Sequence, residues 1–562
     1  TQTFSVAGGG TLNLPNPIDT GNGGVGHTLV FDGAGNVNVS GNVLGIASVT
    51  TNGTGTLTLS GANSYSGQTQ VNAGRVIISD PTALGTNAAG TVVNGGVLQL
   101  QGGITVDEGL IIQGPGFLGS GALVSASGVN LWTGTVAVPA AGVNIGVTAG
   151  SLEIQGIVSG PGALNILTGA GGPMLLLSGV NTYTGLTTLV QGRLGAKSAG
   201  AFGATTSGAV VQTGTLELEG VTIVGEALTL NGDGDGAAFG ALRSGGMTAS
   251  DWNAPVTLAT NTTITASVNN LTVATGIAGS GGLTKEGAAT LFLGSGTYTG
   301  ATVVNGGAID LSQSLATSSV TVNDTGKLEG VSTFAGPLSV LALGTVAPGH
   351  SPGVLNVGNT SFQAASVYDV EINGPTAGTN YDQLNVTGTV SLSAPTLVVH
   401  VGFMPSEGQA FTIVNNNLSD AVSGIFSAKP NGSGFIADGV ELQIAYNGGS
   451  GNDVVLTAHT IPSAAITPVG PTILCSSQLL TATPSNGVPS YTGFQWYKDA
   501  VLIPSATMST YTANAPGTYT VTVTDSLAVT SAQSTASVLN GETTAPTVMA
   551  PLTATVTETT CS

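Results

Sequence analysis

Apolar and polar residues alternate in short runs along most of the chain, as in Thr56-Leu-Thr-Leu-Ser60 and Thr215-Leu-Glu-Leu-Glu219. A period of two places alternate side chains on opposite faces, so these runs predict half-buried strands. Gly-Asn, Gly-Gly and Asn-Gly pairs interrupt them and supply the positive φ that tight turns need. No window combines a helical period with caps. The chain is expected to be all-β.

The pattern repeats at long range. Gly55-Thr-Leu-Thr-Leu-Ser-Gly-Ala-Asn-Ser-Tyr65 aligns with Pro173-Met-Leu-Leu-Leu-Ser-Gly-Val-Asn-Thr-Tyr183 and with Ala289-Thr-Leu-Phe-Leu-Gly-Ser-Gly-Thr-Tyr298. Trp132 and Trp252 fall at matching places further along, as do Arg75 and Arg193. A propeller blade would repeat every ~40–50 residues, whereas a solenoid turn takes ~20–30, so a unit of roughly 116 residues holds several turns. This predicts a right-handed parallel β-helix over about residues 1–460, with turns of ~22 residues and a length on the order of 100 Å.

Composition sharpens the picture. The chain has 562 residues, of which 88 are Gly, and only 6% are charged. Val, Leu, Ile and Ala dominate a hydrophobic fraction of 41%, which supports a strand-built core and excludes general disorder. Few like charges would stack between turns, so Thr, Ser and Asn suit the outside. Only 8 Lys and Arg against 28 Asp and Glu exclude nucleic acid and anionic lipid as partners. Apolar runs are far too short for a spanning helix, so no direct membrane insertion is expected. The N-terminus carries no Met and no signal segment, which suggests a processed chain.

Residues 55–74 and Gly281-Gly-Leu-Thr-Lys-Glu-Gly resemble the passenger-associated strand repeat of bacterial autotransporter adhesins. Gly344-Thr-Val-Ala-Pro-Gly-His-Ser-Pro-Gly and the segment through Tyr446-Asn-Gly-Gly-Ser-Gly-Asn-Asp453 resemble the region that closes such passengers. The resemblance implies a secreted surface protein in which 1–343 is the repeated β-helix and 344–460 its closing region. No translocator barrel follows. Instead Pro462, Pro468 and Pro471 mark a boundary, and Gln495-Trp496-Tyr497 and Thr518-Tyr519 look like an immunoglobulin-like β-sandwich over 461–540. That module is similar to those of large adhesion and gliding proteins exported by the type IX pathway, with residues 541–562 as a tail or the start of another module.

Candidate chemistry is sparse. Asp233 and Asp235 alternate with Gly as in a calcium loop, but no downstream Glu completes the ligand set. Asp453 lies within a single nonapeptide of the repeat-in-toxin kind, Gly448-Gly-Ser-Gly-Asn-Asp453-Val-Val-Leu456, and such a site needs successive copies. Both are weak calcium candidates, and no other cofactor or catalytic set is expected. His27, His350, His400 and His459 are scattered. Tyr65, Tyr183 and Tyr298 suit packing of a repeated turn, with an aromatic binding ladder as the alternative. Arg75 and Arg193 suggest a repeated structural contact. Cys475 is either a buried thiol or a partner of Cys561, within the chain or from a neighbour. The sequence therefore predicts a non-enzymatic extracellular adhesin or fibre subunit whose partners are copies of itself, other surface proteins or glycans. A β-helical carbohydrate-active enzyme or glycan-binding module is the alternative; the enzyme needs clustered carboxylates.

Overall fold

Each turn of the chain touches three stacks of parallel strands in a fixed order. Val97–Leu100, Thr105–Val106 and Leu110–Gln113 make one turn, and Leu123–Ser125, Val129–Trp132 and Val136–Ala137 lie directly upon them. The computed structural model describes residues 1–21, 27–236, 239–350, 352–417 and 419–541. Within these the chain is a parallel β-solenoid, and its helix content is a single 3-10 turn at Phe117–Gly119. The chain divides into two compact units, Thr1–Val346 and Ala347–Ser562.

The first unit is held together by columns of inward side chains. One runs Leu57, Val76, Leu98, Leu123, Ile145 and Ile166, each paired in register with the next and each no more than 2% exposed. Burying such a side chain contributes about 1.5–3 kcal/mol, repeated at every turn. The alternate positions of these strands mix polar residues such as Thr58, Gln99, Asn144 and Asn165 with apolar ones such as Ile77, Val124 and Leu167, and some amides stack, as in Asn165 Nδ2 to Asn144 Oδ1 at 3.1 Å.

The register reveals what the repeat does in space. The strand of the first copy, Thr56–Leu59, lies in the first stack; five pairings later that stack has reached Leu164–Thr168. The corresponding strand of the second copy, Met174–Leu177, lies in the second stack, on Ser151–Ile154. From there the second stack climbs through Leu194, Leu216, Leu242 and Ile264 to Lys285. The third copy's strand, Thr290–Leu293, then falls in the third stack, on Leu271–Val273. Every copy therefore starts one face further round the solenoid.

The second unit begins with the same parallel pairing and then reverses it. Val354–Val357, Gln383–Val386 and Ala410–Asn416 pair in parallel. Asp453–His459 runs antiparallel to Ala410–Asn416, and Val440–Gly448 and Gly434–Ala437 follow antiparallel. From Ser463 two sheets share one core. Ser463–Thr467, Gln478–Ser485 and Thr510–Ala513 form one; Thr472–Leu474, Ser537–Gly541, Gly517–Thr524, Gly493–Lys498 and Val501–Leu502 form the other. Trp496, Leu480, Val521 and Leu539 fill the space between them. Trp496 donates from Nε1 to Met508 O at 2.9 Å, and the Tyr519 hydroxyl donates to Ala515 O at 2.7 Å.

Candidate functional site

The repeated residues build corners. Tyr65, Tyr183 and Tyr298 are fully buried, and each hydroxyl bonds the threonine four residues on, to Thr69, Thr187 and Thr302, at 2.6–2.7 Å. Burial pushes all three phenols well above their ordinary range. The rings face inward on three different sides and present no surface to a ligand, so they form no aromatic ladder. Gly85 and Gly203 close over the first two rings. Both have positive φ, and a Cβ there would meet the tyrosine carbonyl at 2.4 and 2.3 Å.

Two residues before Tyr65 and Tyr183 an asparagine replaces missing strand pairing, whereas Gly296 stands at that place before Tyr298. Asn63 accepts from Val43 N in the turn below and donates to Ala83 O in the turn above. Asn181 does the same with Val158 N at 2.8 Å and Ala201 O at 2.7 Å. Asn181→Ala is expected to cost about 2 kcal/mol, because it strands a buried donor and a buried acceptor. Urea unfolding checks this; Val180→Ala, at an exposed neighbour, should cost little.

Trp132 and Trp252 donate from Nε1 to the backbone carbonyls of Glu108 and Glu226, at 3.0 and 2.9 Å. Both glutamates are themselves buried, 5% and 2% exposed, and burial pushes each carboxyl up to about 7. Thr91 Oγ1 bonds Glu108 at 2.7 Å. Ala209 stands at the place of Thr91 in the second copy, and both Glu226 oxygens are left without a hydrogen-bond partner. These glutamates were not singled out in the sequence, although they share the repeat spacing. A groove of about 350 Å³ is bordered by Asp107 and Glu108.

Lys285 is a buried cation in the same unit. It occupies an inward position between Ile264 and Val304 and is fully buried. Its ammonium donates to three carbonyls, Glu286 O at 2.8 Å and Gly287 O and Gly306 O at 2.9 Å. Burial pulls its pKa down to about 8. The other copies carry Thr51 and Thr168 near this place, and these also donate to turn carbonyls, those of Ala73 and of Gln191 and Arg193. The shared requirement is a donor that ties the chain's turns together.

Charge gathers on the outer face of the second stack. Arg193 and Arg243 both pair with Glu217, and both guanidinium carbons lie 4.8 Å from the ring centre of Phe239. Lys197 pairs with Glu153 at 3.2 Å. The repeat counterpart of Glu217 is Gln99, so the Arg193 ion pair is not reproduced at Arg75.

The calcium candidates serve as local caps. Asp233 Oδ1 accepts from Thr263 Oγ1 at 2.7 Å, while Asp235 Oδ2 accepts from Gly171 N at 3.1 Å. Asp453 accepts from Asn416 N and Ser450 N, both at 2.9 Å. Among the described residues no three His, Cys, Asp or Glu side chains come together as metal ligands. His400 lies 3.3 Å from Asp369, and His459 Nδ1 lies 2.6 Å from Glu407. Cys475 is disulfide-bonded; Cys561 lies outside the described residues, as do residues 542–562. No helix among the described residues is long and apolar enough to cross a membrane.

The repeated Tyr and Trp side chains are thus buried and hydrogen-bonded within the solenoid's own turns. Residues 49–78, 167–195 and 283–311 match the passenger-associated-transport-repeat family. The chain is also similar to the adhesin BmaC autotransporter of Brucella suis biovar 1, 30% identical over 312 residues, or 53% of this chain and 8% of that protein. It is similar to an extracellular serine protease of Serratia marcescens, 42% identical over 98 residues, or 17% of this chain and 9% of the protease. The chain thus spans less than a tenth of either relative.

Proposed function

We propose that this chain is the stalk and C-terminal module of a non-enzymatic adhesin presented at a bacterial cell surface. One observation carries the reading. The three passenger repeats lie within a continuous parallel solenoid, and their Tyr, Asn and Trp side chains are used up in holding corners, which leaves a rigid scaffold. The likeness to an adhesin autotransporter, extending over about half the chain, supports it. Its crossovers are right-handed, as parallel crossovers nearly always are. Residues 344–460 close the solenoid, and 461–540 form an immunoglobulin-like sandwich, a reading supported by the buried Trp496 and the Tyr519 corner. Adhesion then works by reach: stacked backbone hydrogen bonds hold a fixed axis, and an outer surface of Thr, Ser and Asn meets glycans or proteins of a neighbouring cell.

Display of the chain on a non-adherent bacterium tests this. The expected result is increased attachment to host-cell or glycan-coated surfaces, with no hydrolysis of casein or of uronate-containing polysaccharide by the purified protein. Hydrolysis of either substrate, or efficient display without attachment to any surface, would overturn it.

A further inference from the structure

Glu441 and Asp525 are both fully buried, in different sheets of the second unit. Asp525 lies just past the end of Gly517–Thr524. Its Oδ1 accepts from Leu527 N and Val529 N at 3.0 Å, and its Oδ2 accepts from Val488 N at 2.9 Å. Three backbone N–H groups thus converge on this one carboxylate. Glu441 has the opposite environment. It lies in Val440–Gly448, opposite His459 on one side and Ile436 on the other, and neither of its oxygens accepts a hydrogen bond. The charged groups around it are Asp525 from the C-terminal sheets, Glu407 from the loop before Ala410–Asn416, and His459 from the neighbouring strand, whose Nδ1 is engaged by Glu407. Close by, Gly434 N donates to Leu527 O at 3.2 Å, and a Cβ on Gly434 would lie 2.8 Å from that of Leu527. The contact is tight.

We propose that Glu441 is a proton-held latch: its neutral carboxyl donates to the Asp525 carboxylate and fastens the two-sheet module at 463–541 to the antiparallel sheet at 410–459, and loss of that proton releases the module. Two buried carboxylates facing each other cannot both be ionised without strong repulsion. The Asp525 oxygens already accept three N–H bonds whereas neither Glu441 oxygen accepts one, so the shared proton belongs on Glu441. Burial, then the Asp525 contact and charge, then the Glu407 charge push the Glu441 carboxyl up to about 8. The sign follows. An acid whose folded pKa is raised holds its contribution at low pH and loses it as pH rises through that value. The latch is closed in neutral and acidic surroundings and opens in alkaline ones.

Amide hydrogen exchange on the full chain from pH 6 to pH 10, corrected for intrinsic rates, tests this at Gly434. Protection is expected to fall at least about tenfold as pH passes 8, because one pKa unit of ionisation changes the equilibrium tenfold. Far-UV circular dichroism should stay constant across the range. Glu441→Gln supplies a neutral donor, and its protection should stay flat. Glu407→Gln removes one repelling charge and should move the midpoint to lower pH, which gives a readout even if Glu441→Gln fails to fold. Unchanged protection to pH 10 in the native chain, an identical pH profile in Glu441→Gln, or loss of protection at pH 7 on adding EDTA with recovery on adding calcium would overturn the proton latch; the last would assign the pair to a cation.

Discussion

Replacing Lys285 by Met is expected to destabilise the Thr1–Val346 unit by about 3 kcal/mol, although the side chain keeps nearly the same length and becomes apolar. The ammonium serves three carbonyls at once, two in its own turn and Gly306 O in the next. Methionine fills the volume and leaves all three buried acceptors without a donor. Packing alone would predict a gain, since every neighbour in that column is aliphatic and the desolvation cost of the charge disappears. The two physical terms therefore predict opposite signs. Urea unfolding, together with amide exchange in Thr302–Leu311, decides between them. Ile264→Val calibrates the pure packing loss in the same column, at about 1 kcal/mol. A Lys285→Met protein as stable as the native chain would show that the carbonyls find water instead.

The second large effect concerns pH. Glu108 and Glu226 have carboxyls raised by burial from 4.5 to about 7. The folded unit holds protons that the unfolded chain has already released, so its stability is fully present below 4.5 and lost as pH rises through about 7. One pKa unit corresponds to about 1.4 kcal/mol, so each glutamate costs about 3 kcal/mol once fully ionised. Thermal unfolding at pH 5 and pH 8, at equal ionic strength, should show the native chain less stable at pH 8. Glu226→Gln should remove about half of that difference. An equal difference in the native and Glu226→Gln proteins would assign the pH dependence elsewhere.

Much of the solenoid is legible in the sequence. Strict alternation in Thr56-Leu-Thr-Leu and its copies fixes strands, and the buried positions follow from it directly. The corner role of Tyr65 and Tyr183 is also legible, because an aromatic flanked by Gly, Ser and Asn at matching places reads as a packed turn. The stepping of the copies from face to face is not. It depends on the accumulated length of every intervening turn, and those lengths vary: Thr56 stacks under Arg75, whereas Leu98 stacks under Leu123. A linear alignment carries the period and loses the angle. The buried ionic groups were hidden for another reason. Glu108, Glu226 and Lys285 look like surface residues by type, and only their place in the alternation reveals them. Lys285 follows Leu283 by two and therefore points the same way, and Glu226 has the same offset from Tyr183 that Glu108 has from Tyr65. Asp233 and Asp235 alternate with Gly as in a calcium loop, and in the structure they accept from Thr263 and Gly171, partners that no linear spacing announces.

The one-face step from copy to copy also limits valency. Suppose a substitution on the outside of one copy created a weak grip on a flat surface, and duplication then multiplied it. Successive copies of that grip would point in different directions around the axis, so neighbouring copies could not bear on the same plane together. Avidity against a single wall would not grow with each duplication until the sequence of copies came round to the same side again. Around the solenoid, in a mesh of fibres or a crowded layer between cells, every copy would find something to touch.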